Sequence, residues 1–292
     1  MADDIKIAVI GGSGLYNMPE ITNVETVNIS TPFGQPSGAI TVGTLRGKRV
    51  AFLPRHGVGH IFTPTTVPYK ANIFALKSLG VRFIIGVNAC GSLREDYAPG
   101  HIVIPDQLFD YTNSRDRSFF ETNLVAHIGV AEPFSPELSQ QLLSAVRQAG
   151  GTVHNGGTFL IEEGPRFATR AESNVFRQWG CSLIGMTTCP EAFLAREAEI
   201  AYATMAHVTD YDSWHTSEEP VNVDMVVATF HRNIELAQKA IAIAVEKLDE
   251  DAVYECHSAL ANAIMTDRTK IKQETIDRLR PIVGRYFTGN EG

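Results

Sequence analysis

Two carboxylates two residues apart, Asp210 and Asp212, close the apolar run Ile200 to Val208 in the segment Thr209-Asp210-Tyr211-Asp212-Ser213-Trp214. Where a buried strand runs out, such a pair has a packed wall behind it and ligand space in front. Burial raises a carboxyl pKa, and a neighbouring carboxylate raises it further, so one of the two can hold a proton for transfer. Three other short segments offer matching chemistry. Pro54-Arg55-His56-Gly57 sets a guanidinium beside an imidazole at a strand end, where the planar fork of arginine and a second donor can grip an oxyanion. His60 lies close enough to substitute for His56. Asn88-Ala89-Cys90-Gly91-Ser92 is small enough for a ligand to approach the backbone, and Gly185-Met186-Thr187-Thr188 adds hydroxyls. Each segment alone also fits a bland reading as a turn, a surface charge or core filler. Together they point to one site for an anion and a purine.

Two tempting alternatives fail on spacing. Gly11-Gly12-Ser13-Gly14 follows the strand-like Ile5 to Ile10, but the third glycine of a dinucleotide fingerprint would fall on Asn17. It reads better as a turn whose N–H groups, with the Ser13 hydroxyl, hold one anion. Cys90 has no base nearby in sequence to activate it as a nucleophile, and the four cysteines fit no zinc pattern. Glu162-Glu163-Gly164-Pro165-Arg166-Phe167 is a candidate base-stacking loop, with an Arg–Glu pair and a core phenylalanine as its plain alternative.

The elements that must position these residues alternate. Strands are expected at 5–10, 82–87, 101–105, 158–161, 182–184 and 201–208, with helices at 68–79, 135–148, 170–179, 190–199 and 222–248. Arg46-Gly47 between two apolar runs signals a hairpin, so the sheet is expected to be mixed. The fold class is α/β: one domain over residues 1–248, a mixed central sheet with helices on both sides, then a helical extension over 249–292. That extension could be an added hairpin, a subunit contact or a loosely held end.

With 292 residues and 44% hydrophobic composition, the chain can bury a large core, and a net charge of −8 argues against nucleic-acid and anionic-membrane surfaces. The acidic start Met1-Ala2-Asp3-Asp4 is unlike a signal peptide, and charge interrupts the C-terminal helices too often for a membrane span. A cytoplasmic protein is expected.

The ordered series IGGSGLY, TPFGQPSG, PRHG, ANIFALK, NACGSLRE, PGHIVIPDQ, AEPF, EGPRF, MTTCPE and VTDYDSW, spread over residues 5–248, resembles the trimeric purine-nucleoside phosphorylase family. Within it, the chain is most similar to members that act on 5′-methylthioadenosine. The resemblance implies phosphorolysis to adenine and 5-methylthioribose 1-phosphate, with methylthioinosine or general purine nucleosides as the alternative. It implies a phosphate pocket from Ser13, Arg55, His56, Asn88, Ala89 and Thr187. It implies Asp210 and Asp212 on the purine, Phe167 stacked on the base and Met186 on the ribose. Val223 and Val227 would wall the 5′ pocket, and a neighbouring subunit of a homotrimer would supply His127. No metal and no cofactor is implied beyond inorganic phosphate as co-substrate. Asn88 is a departure: members acting on methylthioadenosine commonly carry threonine there, and Asn-Ala occurs in members acting on 6-oxopurines.

Overall fold

A computed structural model describes residues 5–12, 14–15, 18–216 and 223–287, with the side chains of 225–233 excepted. The strand β1 (Ile7–Gly11) lies parallel between β4 (Lys48–Pro54) and β5 (Phe83–Ser92). Outside β4, the antiparallel β3 (Ile40–Leu45) and β2 (Thr22–Val27) extend the sheet, and the β3–β4 turn carries positive φ at Arg46 and Gly47. The expected hairpin and the mixed sheet are both present.

The strand that organises the site is β5. Its first half pairs with β1 through Gly86. Its far end, at Gly91 and Ser92, pairs antiparallel with β10 (Leu183–Gly185) on the β9 side of the sheet. Between these two pairings Val87 to Cys90 have, among the described residues, no strand registered on that edge, while β11 (Ala201–Asp210) covers the other edge along nearly the whole length. The sheet thus forks around four residues and leaves a gap. β9 (Thr158–Glu162) and β7 (Gln107–Tyr111) continue one branch, and β6 (Ile102–Ile104) and β8 (Val153–Asn155) the other.

Alternate residues of β1 feed opposite cores, Ile7 and Val9 into one and Ala8 and Ile10 into the other. The first core is covered by α2 (Pro136–Gln148) and α5 (Val223–Lys247), the second by α1 (Tyr69–Ser78) and α4 (Thr188–Glu197). Ser135 caps α2 by accepting from Leu138 N–H, and a Thr169/Glu172 capping box starts α3 (Arg170–Gln178). The segment after residue 249 contains two short helices, α6 (Gln273–Arg278) and α7 (Arg280–Val283). It is not a loose end: Leu260, Leu279, Ile282 and Val283 are buried in the second core, and Leu260 N–H donates to Glu199. No helix among the described residues is long and apolar enough to cross a membrane.

Two expectations need correction. Asn88 to Ser92 do not follow a strand but form the second half of β5, because small residues let the strand run on between its neighbours. Asp210 is likewise the last residue of β11 rather than part of the following loop.

Candidate active site

The gap beside β5 opens into a cavity of about 540 Å³. Val87 and Gly91, both in its wall, are four residues apart, so the strand measures roughly 13 Å between them. Around Val87 and Asn88 the wall is built from Gly11, Gly12, Arg55, His56, Ala89 and Thr187. Around Gly91 it is built from Asp210, Asp212, Glu162 and Phe167. A side chain at Gly91 would stand 3.1 Å from Asp210 Oδ1 and from Asp212 Cβ, so glycine keeps the carboxylates free of the strand.

The first end contains little free charge. Arg55 is 2% exposed, and its Nε and Nη2 donate to the two carboxylate oxygens of Glu191, each at 2.7 Å. Nη1 donates to Val87 O and Nη2 also to Ile10 O, so four of its five N–H groups are spent inside the protein. Burial alone would depress this guanidinium, but Glu191 raises it above its ordinary value. An anion finds at most one donor there, and the larger part of Arg55 is framework. His56 donates from Nδ1 to Phe62 O at 2.9 Å and stacks on His60. Burial first, then the charges of Arg55 and Arg115, hold it down at about 4 despite that bond, so it is neutral at pH 7 and its Nε2 is an acceptor. Asn88 Nδ2 donates to Thr187 Oγ1 at 2.8 Å while Asn88 Oδ1 accepts from Thr204, which leaves the Thr187 hydroxyl hydrogen free for an oxyanion. Ser13 lies outside the described residues.

The second end is acidic. Asp210 accepts from Asp212 N–H and from the Thr209 hydroxyl, both at 2.7 Å. Asp212 has a left-handed φ of 53° and is 7% exposed, and its Oδ2 is buried without a hydrogen bond among the described residues. Burial pushes it up to about 6, with Asp210 adding and the nearby Ser173 hydroxyl opposing. The loop is pinned from outside: Trp214 Nε1 donates to Ser92 O, Ser213 to Ala168 O, and Arg177 stacks on Trp214. Phe167 and Met186 line the cavity, and Arg166 pairs with Glu172 rather than with a glutamate of its own loop. Val223 lines the mouth and is exposed; Val227 lies on the same helix, but its side chain is outside the described residues. His127 is exposed and does not line the cavity of its own chain.

Two residues that frame the site, Arg115 and Glu191, are not singled out by the sequence. Arg115 donates to the carbonyls of Met186, Cys189 and Glu163 and to the Glu163 carboxylate, tying the 186–189 and 162–163 segments together. Glu191 neutralises Arg55, and Glu162 faces the cavity. Neither Arg115 nor Glu191 carries a local signal, because their partners lie far away in sequence, whereas Glu162 belongs to the loop expected to stack on the base.

A family model, the phosphorylase superfamily, matches residues 6–248. The chain is 54% identical over 283 residues to S-methyl-5′-thioadenosine phosphorylase of Chloroflexus aurantiacus, covering 97% of this chain and 98% of that protein. It is 51% identical to the protein of that name from Geobacter sulfurreducens, over 96% and 98%. Among solved structures, a methylthioadenosine phosphorylase from an antarctic soil metagenomic library superposes with a TM-score of 0.91 at 46% identity, over 95% of this chain and 98% of that one. The Schistosoma mansoni methylthioadenosine phosphorylase in complex with adenine gives 0.84 at 35% identity, over 89% and 99%. The forked sheet, the two-ended cavity at its fork and these full-length matches agree: the chain belongs to the phosphorylase superfamily.

Proposed function

We propose that the chain catalyses phosphorolysis of 5′-methylthioadenosine, releasing adenine and 5-methylthioribose 1-phosphate. The observation that carries this reading is the division of one cavity wall, with a small, donor-lined end at Val87 to Ala89 and an aspartate pair about a nucleoside's length away at Gly91. The names of the full-length relatives support the substrate.

In this reading phosphate sits at the first end, beneath C1′ of the ribose, held by the Thr187 hydroxyl and the backbone around Gly12 and Ala89, with His56 Nε2 accepting from the protonated oxygen of hydrogen phosphate. Ser13 and the remaining Arg55 donor would complete that set. Holding the nucleophile in line replaces a bimolecular encounter by a positioned one. The C1′–N9 bond breaks through a ribosyl cation, and negative charge builds on the purine. Asp210 and Asp212 share the task of meeting it: Asp210 accepts two internal hydrogen bonds, and Asp212 takes up a proton more readily than an ordinary carboxylate. Between them they accept from the 6-amino group and supply a proton toward N7. Phe167 stacks on the base and Met186 touches the ribose. Val223 and Val227 wall the 5′ side. His127 of a neighbouring copy would close the pocket in a homotrimer, with inorganic phosphate the only co-substrate and no cofactor or metal required. A cytoplasmic setting is in keeping with four buried free cysteines.

Asn88 bears on the alternative substrates. It sits three residues before Gly91 on β5, roughly 10 Å along the strand, and its amide is spent on Thr187 and Thr204. Its chemistry therefore belongs to the anion end and does not select the base. A competition assay tests the reading, with methylthioadenosine, methylthioinosine and adenosine at equal concentration in phosphate buffer. Methylthioadenosine should be consumed first; prior consumption of methylthioinosine would replace this substrate with the 6-oxo one.

A further inference from the structure

Glu162 and Glu163 are neighbours with opposite fates. Strand alternation at the end of β9 turns them to opposite sides. Glu163 points away from the cavity. Against the cost of its partial burial, Asn113 N–H, the Thr65 hydroxyl, Ser114 N–H and Arg115 hold it down at about 2. Glu162 lines the cavity, is 8% exposed, and receives none of these partners. The ionisable groups near it are Asp212 at the same end of the cavity, Arg166 on its own loop and Glu172 on α3, and the Ala168 N–H lies beside its carboxyl. Burial first, and then Asp212, push it up to about 8, so it is protonated at neutral pH.

The acidic end therefore holds three carboxyl groups and not two. They do not converge on a point: among the described residues no three His, Cys, Asp or Glu side chains are grouped to hold a metal ion. They are spread along a wall that also carries Asp212 Oδ2, a buried oxygen with no hydrogen bond among the described residues, and the aromatic ring of Phe167. An adenine edge offers such a wall three successive groups: an acceptor at N1, a donor at the 6-amino group and an acceptor at N7. Two aspartates answer the last two, and N1 needs a donor. A protonated carboxyl is one of the few side chains that supply it from an otherwise acidic wall.

Resting on the proposed function, we propose that Glu162 is a specificity-determining residue, a third carboxyl that donates a hydrogen bond to N1 of a 6-aminopurine. The same group, once ionised, would accept from the N1–H of a 6-oxopurine, so its proton sets which base is preferred. A site that leaves a buried polar group unpaired against the wrong base discriminates strongly.

The test is calorimetric binding of free adenine to the full-length protein at pH 6.5 and pH 9, for the wild type and for Glu162→Gln, whose amide donates at both values. Wild-type affinity should fall about tenfold between the two pH values as the donor is lost. Glu162→Gln should bind within about threefold of wild type at pH 6.5 and show no such fall. Equal pH dependence in both proteins, or weak binding by the glutamine variant at every pH, would overturn the assignment, since a merely structural role moves both conditions together. Wild-type turnover of methylthioadenosine with phosphate is measured alongside. If turnover is absent while adenine binding follows the expected pattern, the reaction assigned above fails and the role of Glu162 stands.

Discussion

The two ends of the cavity are built on opposite electrostatic plans. Around Val87 the strong charges are cancelled before any ligand arrives: Arg55 lies against Glu191, Arg115 against Glu163 and a ring of carbonyls, and His56 is neutral. Around Gly91 the carboxyl groups stand near one another, and burial pushes two of them, Glu162 and Asp212, upward. The first end is a rigid frame of spent hydrogen bonds with a few donors left over. The second stores protons. A reaction that must hold an anion still and deliver a proton to a leaving group needs both kinds of surface, and a mutation should reveal which kind it has touched.

The largest expected effect is on the proton-storing side. Asp210→Asn should fold normally, since the residue ends a strand, but should lower turnover by about 10²–10⁴. Near-normal turnover in a steady-state assay would remove Asp210 from the chemistry. At the framing end the damage should fall on stability. Glu191→Ala leaves the Arg55 guanidinium buried without its partner and should cost about 3–5 kcal/mol in urea unfolding. An unchanged midpoint would mean that Arg55 finds another partner, and that the frame is looser than its bonds imply.

Asp212→Asn should do the reverse and stabilise the ligand-free protein while impairing turnover. The folded state holds the Asp212 proton more tightly than the ordinary value near 3.8, up to about 6. Ionising it therefore costs the fold as pH rises between those values, and the cost is complete above about 6. Asparagine never ionises and tolerates the left-handed φ of this position. A gain of about 1–3 kcal/mol at pH 7.5, shrinking toward pH 4, is expected from denaturant unfolding; a loss would mean that Asp212 is ionised and paired. The smallest effect belongs to Asn88→Ala. Freeing Thr187 and Thr204 should raise the phosphate KM roughly fivefold to tenfold, about the worth of one neutral hydrogen bond, with kcat nearly kept. A change confined to the nucleoside KM would place Asn88 at the other end.

What could be read from the sequence follows the same division. Fully buried apolar strands such as β1 and β11 and the capped helices α2 and α3 declare themselves by composition and punctuation. β2 does not, because Thr22–Val27 is an exposed edge strand with no buried alternation, and β8 has only three residues. The second half of β5 looked like a loop because Asn, Ala, Cys and Gly lack strand propensity; β11 beside it supplies the strand. In the site, Asp210, Asp212 and His56 sit at strand ends, where spacing is informative. Arg115 and Glu191 do not reveal themselves. Glu191 is 136 residues from Arg55, and a buried charge is intelligible only once its partner is known.

The most direct test of the two-ended cavity is adenine release from methylthioadenosine, measured with and without inorganic phosphate. The account predicts release that depends on phosphate and yields 5-methylthioribose 1-phosphate in equal amount. Release at the same rate in phosphate-free buffer, with free methylthioribose as the product, would contradict it.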